Sequence, residues 1–342
     1  MKNALHVCKL LISILFLSLI LRVVQGSDFM QMLKEVDPPY LLISVALSVM
    51  MVAISCLKWY VLLAHQGSSV SYSILLQYYL IGYYFTTLLP SNMGGDAVRS
   101  YYAGRRIGSQ TRAAVSVFIE RISGLIFLLF LVAAAPMLHP RLYRHSAIWI
   151  PALWAICVFG TWIVLNQARQ LPSRIIDAVH WRRGSSQERS WAPRIERFIS
   201  FIRGKADRFR QKLISALRDL KSDRRVWAPV GLLTVLFYFL TWVNVYVTFR
   251  AFGVKVPFFE VAALVPACLL VAMIPIAPLA SLGLAEGAYV FYFGLVGVLP
   301  AESLAMGLFL RCKLLLIGLI GLGIHLTHGQ YIKERMSEGN HA

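Results

Sequence analysis

Several ionisable side chains lie in or beside apolar stretches of the chain, where a charge is costly and therefore informative. They include Asp96, Arg99, Glu120, Arg121, Glu286, Arg311 and Lys313. A charge at mid-bilayer costs about 2.5–3.5 kcal/mol on insertion scales, so such a group usually faces a partner or a polar cavity. An arginine fork binds a phosphate through two parallel hydrogen bonds. The pattern predicts that Arg121 and Arg311 contact a phosphate-bearing ligand within the membrane.

The acidic residues and the arginines recur with one spacing. Asp96 precedes Arg121 by 25 residues, and Glu286 precedes Arg311 by the same 25 residues. The candidate substrate-binding residues are Arg121, Arg311, Asp96, Glu286, Glu120 and Arg99. Two structural interpretations stand beside this one. Either each acid caps the helix that it begins, or each acid–arginine pair is a static ion pair that fastens its segment.

The composition is typical of a membrane protein. Of 342 residues, 58% are hydrophobic and only 15% are charged, whereas soluble domains have about 45–50% and about 25%. This excludes a disordered chain and disfavours a soluble enzyme. The formal net charge of +18 indicates cytoplasmic loops in contact with anionic lipid head groups. We expect a multi-pass membrane protein.

Six apolar stretches are long enough to cross about 30 Å of hydrocarbon. They are 5–24, 40–63, 113–138, 146–165, 228–249 and 301–326. Two further stretches, 72–89 and 258–274, end at breaks rich in proline and glycine. The break residues are Pro90, Gly94, Gly95, Pro275, Pro278, Gly283 and Gly287, and the glycines are expected to allow positive φ and close backbone approach. The expected fold is one all-α domain over 1–342, with about six spans and two re-entrant hairpins.

The charges of the loops predict the orientation of the chain. Residues 166–226 carry 16 Lys and Arg against 6 Asp and Glu, so this loop and both chain termini are expected in the cytoplasm. The repeat-like units 72–138 and 257–326 then enter from opposite faces, which predicts an inverted repeat with a site near the midplane. Whether each broken hairpin re-enters or crosses fully stays open at this point.

The segment 193–221 within the basic loop has apolar residues at helical spacing, interleaved with many Arg and Lys residues. A basic amphipathic helix of this kind lies on an anionic membrane surface, or it packs against the cytoplasmic ends of the spans. We favour the membrane surface. A nucleic-acid partner is not expected, because no recognised nucleic-acid-binding fold surrounds the segment.

The sequence contains no Walker loop, no H-E-x-x-H, no G-x-S-x-G and no dinucleotide-binding fingerprint. Its five cysteines are far apart and lie in apolar stretches, where cysteine is usually a small buried hydrophobe. We therefore expect no cofactor, no metal site and no catalytic residue. A transporter is favoured over an enzyme.

The motifs around the charged residues resemble one known family. Residues 88–99 read L-L-P-S-N-M-G-G-D-A-V-R, residues 120–124 read E-R-I-S-G, and residues 283–288 read G-L-A-E-G-A, ahead of Arg311. They are similar to the flippase-like transmembrane region of lysylphosphatidylglycerol synthases, over roughly 10–327. The resemblance implies a stand-alone member without the aminoacyl transferase domain, linked to export of lipids or lipid-linked sugars. Ala285 stands where the family usually has an arginine.

Three functions fit these observations. The favoured one is a translocase that moves a phospholipid or polyprenyl-linked lipid between leaflets, passively or with an ion. The second is a non-catalytic partner of a glycosyltransferase or lipid synthase in envelope biosynthesis. The third is an integral-membrane enzyme that modifies a lipid head group, with Asp96 or Glu286 as general base.

Overall fold

The described part of the chain is helical, with short turns and no strand. The computed structural model describes residues 36–88, 94–138, 149–151, 153–154, 156–157, 224–273 and 283–338. Eight helices of 11 residues or more lie in these ranges. They are α1 (Pro38–His65), α2 (Tyr72–Leu88), α3 (Gly94–Arg106), α4 (Gln110–Leu138), α5 (Arg224–Ala251), α6 (Phe258–Ala272), α7 (Leu284–Gly294) and α8 (Pro300–Glu338).

Four of these helices are long and apolar enough to cross a membrane. Their apolar lengths are Pro38–His65, Gln110–Ala134, Val226–Ala251 and Pro300–Thr327. Large apolar side chains on them, such as Leu42 and Leu232, are 71% and 69% exposed, as expected for contact with hydrocarbon rather than water. The chain is therefore a multi-pass all-α membrane protein. The predicted span 5–24 and nearly all of 146–165 lie outside the described residues.

The order of helix lengths is the same in α1–α4 and in α5–α8: long, short, short, long. Each set of four contains its own apolar core. The core of the first set includes Trp59, Leu75 and Ile81, and that of the second includes Phe249 and Phe293. The predicted apolar stretches 72–89 and 258–274 correspond to α2 and α6, and each is followed by a short helix that begins two residues before an acid.

The two sets of helices are interlocked. The long helix α1 packs against α5, while the short helix α2 packs against α8 and the short helix α6 packs against α4. The backbones of α2 and α8 touch, because a Cβ atom on Gly321 would collide with the Leu80 carbonyl oxygen. The short helices α3 and α7 pack against the long helices α4 and α8. This packing places Asp96 and Glu286, near the starts of α3 and α7, against long helices.

The chain divides into two compact units, residues 1–151 with 224–342, and residues 152–223. All eight helices belong to the first unit. The predicted amphipathic segment 193–221 and the break residues Pro90, Pro275 and Pro278 lie outside the described residues. The expectation of a single domain and of a surface-lying helix therefore stays a prediction.

Candidate functional site

Asp96 and Arg121 meet at the junction of α3 and α4. Asp96 is the third residue of α3, and Arg121 lies eleven residues after Gln110, the first residue of α4. Arg121 Nε donates to Asp96 Oδ2 at 2.7 Å, and one Arg121 Nη donates to Asp96 Oδ1 at 2.8 Å. This is the two-point geometry in which a guanidinium binds a carboxylate most strongly. The structure thus contains the ion pair that was one of the two structural interpretations of the 25-residue spacing.

Arg99 extends this pair into a buried network. Its Nε donates to Asp96 Oδ1 at 3.0 Å and one Nη donates to Glu120 Oε2 at 2.7 Å. Its guanidinium carbon lies 4.3 Å from the centre of the Tyr79 ring and 4.9 Å from that of Trp59. The Tyr79 hydroxyl donates to the other oxygen of Glu120 at 2.9 Å. A buried charge needs such partners and aromatic faces to offset its desolvation.

The two arginines of this cluster differ in exposure. The side chain of Arg99 is 2% exposed, whereas that of Arg121 is 51% exposed. A guanidinium carries five N–H donors, and Asp96 accepts from two of those of Arg121. Arg121 therefore keeps donors available for a ligand, while its orientation is fixed by Asp96.

Lys58 was not among the predicted site residues, although it is the one charged residue in the predicted span 40–63. In the structure it is only 7% exposed, and it experiences the charges of Glu120, Arg121 and Arg99. A lone lysine inside a predicted span was the signal that pointed to it. Trp59 and Tyr79 carried no comparable signal, because aromatic residues are common in spans.

Glu286 and Arg311 form a second ion pair at the junction of α7 and α8. Glu286 is the third residue of α7, and Arg311 lies eleven residues after Pro300, so both positions repeat those of Asp96 and Arg121. Arg311 Nε donates to Glu286 Oε1, and one Nη lies 3.4 Å from Oε2. Glu286 is 1% exposed and Arg311 is 15% exposed. Residues 25 positions apart thus form an ion pair here too, in a more buried setting.

The helix-capping interpretation holds for Glu286. Its Oε2 accepts a hydrogen bond from the Gly283 N–H at 2.8 Å, which satisfies a donor at the start of α7. The hydrogen bonds that Asp96 accepts come from Arg99 and Arg121 within the described residues. The two acids therefore have different local partners at equivalent helix positions.

The glycines at the two breaks have two different roles, positive φ and close backbone approach. Gly283 has φ +81°, as expected for a residue without a Cβ. The Gly287 N–H donates to the Gly283 carbonyl oxygen at 2.9 Å. Gly94 and Gly95 lie within the helix α3, so the expectation of positive φ was wrong there. Gly95 serves close approach instead, because a Cβ on it would collide with the Gly82 carbonyl oxygen and the Thr86 hydroxyl.

Lys313 occupies a polar junction of α1, α5 and α8. Its Nζ donates to the Ser44 hydroxyl, to Asn244 Oδ1 at 2.8 Å and to the Ser44 carbonyl at 3.3 Å. The Ser44 hydroxyl also lies 2.7 Å from that of Thr248. These partners are all neutral oxygens, and Lys313 is 3% exposed. It ties three helices together, away from the two ion pairs of α3–α4 and α7–α8.

Two other kinds of binding feature, metal-binding groups and the cavity beside α1 and α2, do not involve the predicted substrate-binding residues within the described part of the chain. Within those residues, no group of three or more His, Cys, Asp or Glu side chains converges on a point where a metal ion fits. One cavity of about 360 Å³ lies beside the turn between α1 and α2 and includes Gln66, Arg106 and Arg112 in its wall. None of the predicted substrate-binding residues lines it.

Comparisons with known proteins agree with this architecture. The family described as the lysylphosphatidylglycerol synthase TM region matches residues 7–321. A UPF0104 membrane protein of Methanothermobacter thermautotrophicus is 23% identical over 345 residues, which covers 96% of this chain and 97% of that relative. No solved structure matches the chain.

Proposed function

The chain belongs to the lysylphosphatidylglycerol synthase transmembrane-region family, and from this premise we propose that it is a lipid translocase. Its substrate is a phosphate-bearing lipid or lipid-linked precursor, which moves between the leaflets of the inner membrane. The observation that carries the proposal is Arg121, a half-exposed arginine fixed by Asp96 inside a multi-pass membrane protein.

The chemistry of Arg121 suits a phosphate head group. A phosphate accepts several charge-assisted hydrogen bonds, and an arginine that is already oriented binds it with less loss of side-chain entropy. Arg99, which is itself held by Glu120, binds Asp96 from the other side, so the fork is held in place before a ligand arrives. Because the arginine is already oriented, its affinity for a lipid head group is higher.

The repeated helix order supports a site shared by the two halves. In our proposal α1–α4 and α5–α8 are inverted repeats, with α2–α3 and α6–α7 entering from opposite faces and both chain termini in the cytoplasm. The equal positions of Asp96 and Glu286, and of Arg121 and Arg311, favour this arrangement. Paired interrupted segments are where transporters of this kind place their substrate, so Arg311 is the second proposed contact.

The proposal is tested by lipid movement in proteoliposomes. Purified protein is reconstituted with a fluorescent phosphatidylglycerol analogue, and a membrane-impermeant quencher reports the fraction of label in the outer leaflet over time. Wild type is expected to equilibrate the label faster than protein-free vesicles. Arg121→Gln should slow it by about tenfold or more, because hydrogen bonds to a charged group contribute about 1.5–3 kcal/mol.

Arg105→Gln is the matched control, because Arg105 is an exposed arginine of α3 that stacks on Tyr101 rather than joining the ion-pair cluster. It should move lipid at the wild-type rate. Thermal unfolding of each variant establishes that it is folded. A folded Arg121→Gln protein with the full wild-type rate would contradict the proposed contact, and a wild-type protein that moves no label would contradict the translocase itself.

A further inference from the structure

Lys58 is a buried cation whose ammonium group has no partner within the described residues. Its side chain lies in α1 and is 7% exposed, and it makes no hydrogen bond or ion pair there. Its Nζ atom is not one of the fully buried atoms that lack a hydrogen bond, so its three N–H donors have access to the space around them. A ligand that supplies acceptor oxygens would satisfy these donors.

The space beside the ammonium group is bordered by α4. Gly124 lies one turn beyond Arg121 and Glu120, and a Cβ atom built on it would be 3.9 Å from Lys58 Nζ and 3.8 Å from the Tyr238 hydroxyl oxygen. The Tyr238 hydroxyl donates to the Gly124 carbonyl at 2.9 Å. A methyl group at this glycine would touch both groups, so the lysine and the tyrosine converge on the same face of α4.

The charge of the region is unbalanced. Lys58, Arg99 and Arg121 carry three positive charges, whereas Asp96 and Glu120 carry two negative ones. Asp96 and Glu120 are already occupied by the two arginines and Tyr79. The excess charge is thus the ammonium group of Lys58, and a single anion would neutralise it.

We propose that Lys58 and Arg121 form a two-point site for a phosphate group, with Lys58 as the deeper contact. This inference rests on the proposed function and names a binding residue of the same site. The phosphate oxygens would accept from the Lys58 ammonium group and from the Arg121 donors that Asp96 leaves unused. A lipid phosphodiester and free inorganic phosphate share this chemistry.

The test uses the full chain in a maltoside detergent, which carries no phosphate. Ligand-induced shifts of the thermal unfolding midpoint are measured with three probes: short-chain phosphatidylglycerol, diacylglycerol of the same chain length, and inorganic phosphate. We expect phosphatidylglycerol to stabilise wild type and diacylglycerol to have no effect. Lys58→Met should weaken the phosphatidylglycerol affinity by about tenfold or more, and Lys58→Arg should recover part of it.

The same variants separate binding from a structural role. Without lipid, Lys58→Met should unfold at the wild-type temperature or above it, because no partner within the described residues is lost. Lys255→Met, which removes an exposed lysine, should bind as wild type does. A Lys58→Met protein with wild-type affinity, or one that only lowers the midpoint without lipid, would overturn the inference.

The remaining outcomes distinguish this inference from the proposed function. If Arg121→Gln loses affinity and Lys58→Met does not, the inference fails and the translocase proposal stands. If Lys58-dependent binding is seen but wild type moves no lipid, the phosphate site stands and the translocase proposal fails. If inorganic phosphate alone binds in a Lys58-dependent way, the site is supported and its ligand is a free anion.

Discussion

The acid–arginine pair occurs twice in this protein, and its two surroundings differ. Asp96 binds two arginines, one of which also binds Glu120, whereas Glu286 binds Arg311 and the Gly283 N–H. In both pairs the acid and the arginine are 25 residues apart, and the pair joins a short helix to the long helix that follows it. Asp96 thus joins a network with a second arginine, whereas Glu286 also caps the start of its own helix.

The additional groups of the first pair are specific to it. At the 190-residue offset that relates the two pairs, Tyr289 takes the place of Arg99 and Leu310 takes the place of Glu120. Neither equivalent is charged, so the second half lacks the residues that extend the first pair to Arg99 and Glu120.

Replacement of Arg99, which connects Asp96 to Glu120, is expected to reduce the stability of the protein the most. Arg99→Met leaves Glu120 buried with only the Tyr79 hydroxyl as a partner, and uncompensated buried charges cost about 3–5 kcal/mol. A lowered unfolding midpoint in detergent measures this. Arg105→Met on the same helix should leave the midpoint unchanged, and an equal loss in both variants would show that the network contributes nothing.

The two paired arginines provide the most direct comparison. Arg311→Gln removes the cation beside Glu286, which is 1% exposed, and should destabilise the protein by about 3 kcal/mol. Arg121→Gln should cost less than about 1 kcal/mol, because Arg121 is half exposed and Asp96 keeps Arg99. Denaturant unfolding of the two variants side by side measures the difference. Equal losses would mean that the two pairs do the same structural work.

A small-residue contact tests whether the two halves are interlocked. Gly321→Ala places a methyl group against the Leu80 carbonyl oxygen, and such overpacking typically costs about 1–3 kcal/mol. Gly323→Ala on the same helix meets nothing within 4 Å and should leave stability unchanged. Unfolding midpoints of the pair give the result. Two unaffected variants would contradict a tight α2–α8 contact.

The two buried lysines give the smallest expected difference. Lys313→Met removes three hydrogen bonds to Ser44 and Asn244 and should cost about 1–2 kcal/mol. Lys58→Met removes none within the described residues and should cost nothing. The comparison is read from unfolding midpoints without lipid. A larger loss for Lys58 than for Lys313 would show that Lys58 has a structural partner.

The sequence predicted much of the fold because membrane crossing imposes a strong and local constraint. Lengths near 20 apolar residues fixed four spans that the structure contains, and breaks of proline and glycine separated α2 from α3 and α6 from α7. The two ion pairs were predictable from their equal spacing. The conformation of Gly95 was not, because positive φ and close approach both favour glycine and only the position of α2 distinguishes them.

The residues that distinguish the first cluster were less accessible to sequence reasoning. Lys58 and Tyr79 come from α1 and α2, and nothing in their spacing relates them to Glu120 on α4. Similarly, Lys313 was visible as a charge within a span, but its partners Ser44 and Asn244 lie 269 and 69 residues away.

By itself the sequence determined that this chain is an all-α, multi-pass membrane protein with two equally spaced acid–arginine pairs. Hydrophobic length, helix-breaking residues and charge are properties of local segments, so they can be read without coordinates. Only the tertiary structure decided which arginine is buried and which is half exposed, and that Lys58 lies beside the first cluster without a hydrogen bond to the described part of the chain. Exposure and pairing depend on helices distant in sequence, because a charge in a span is satisfied by whichever neighbours packing brings to it.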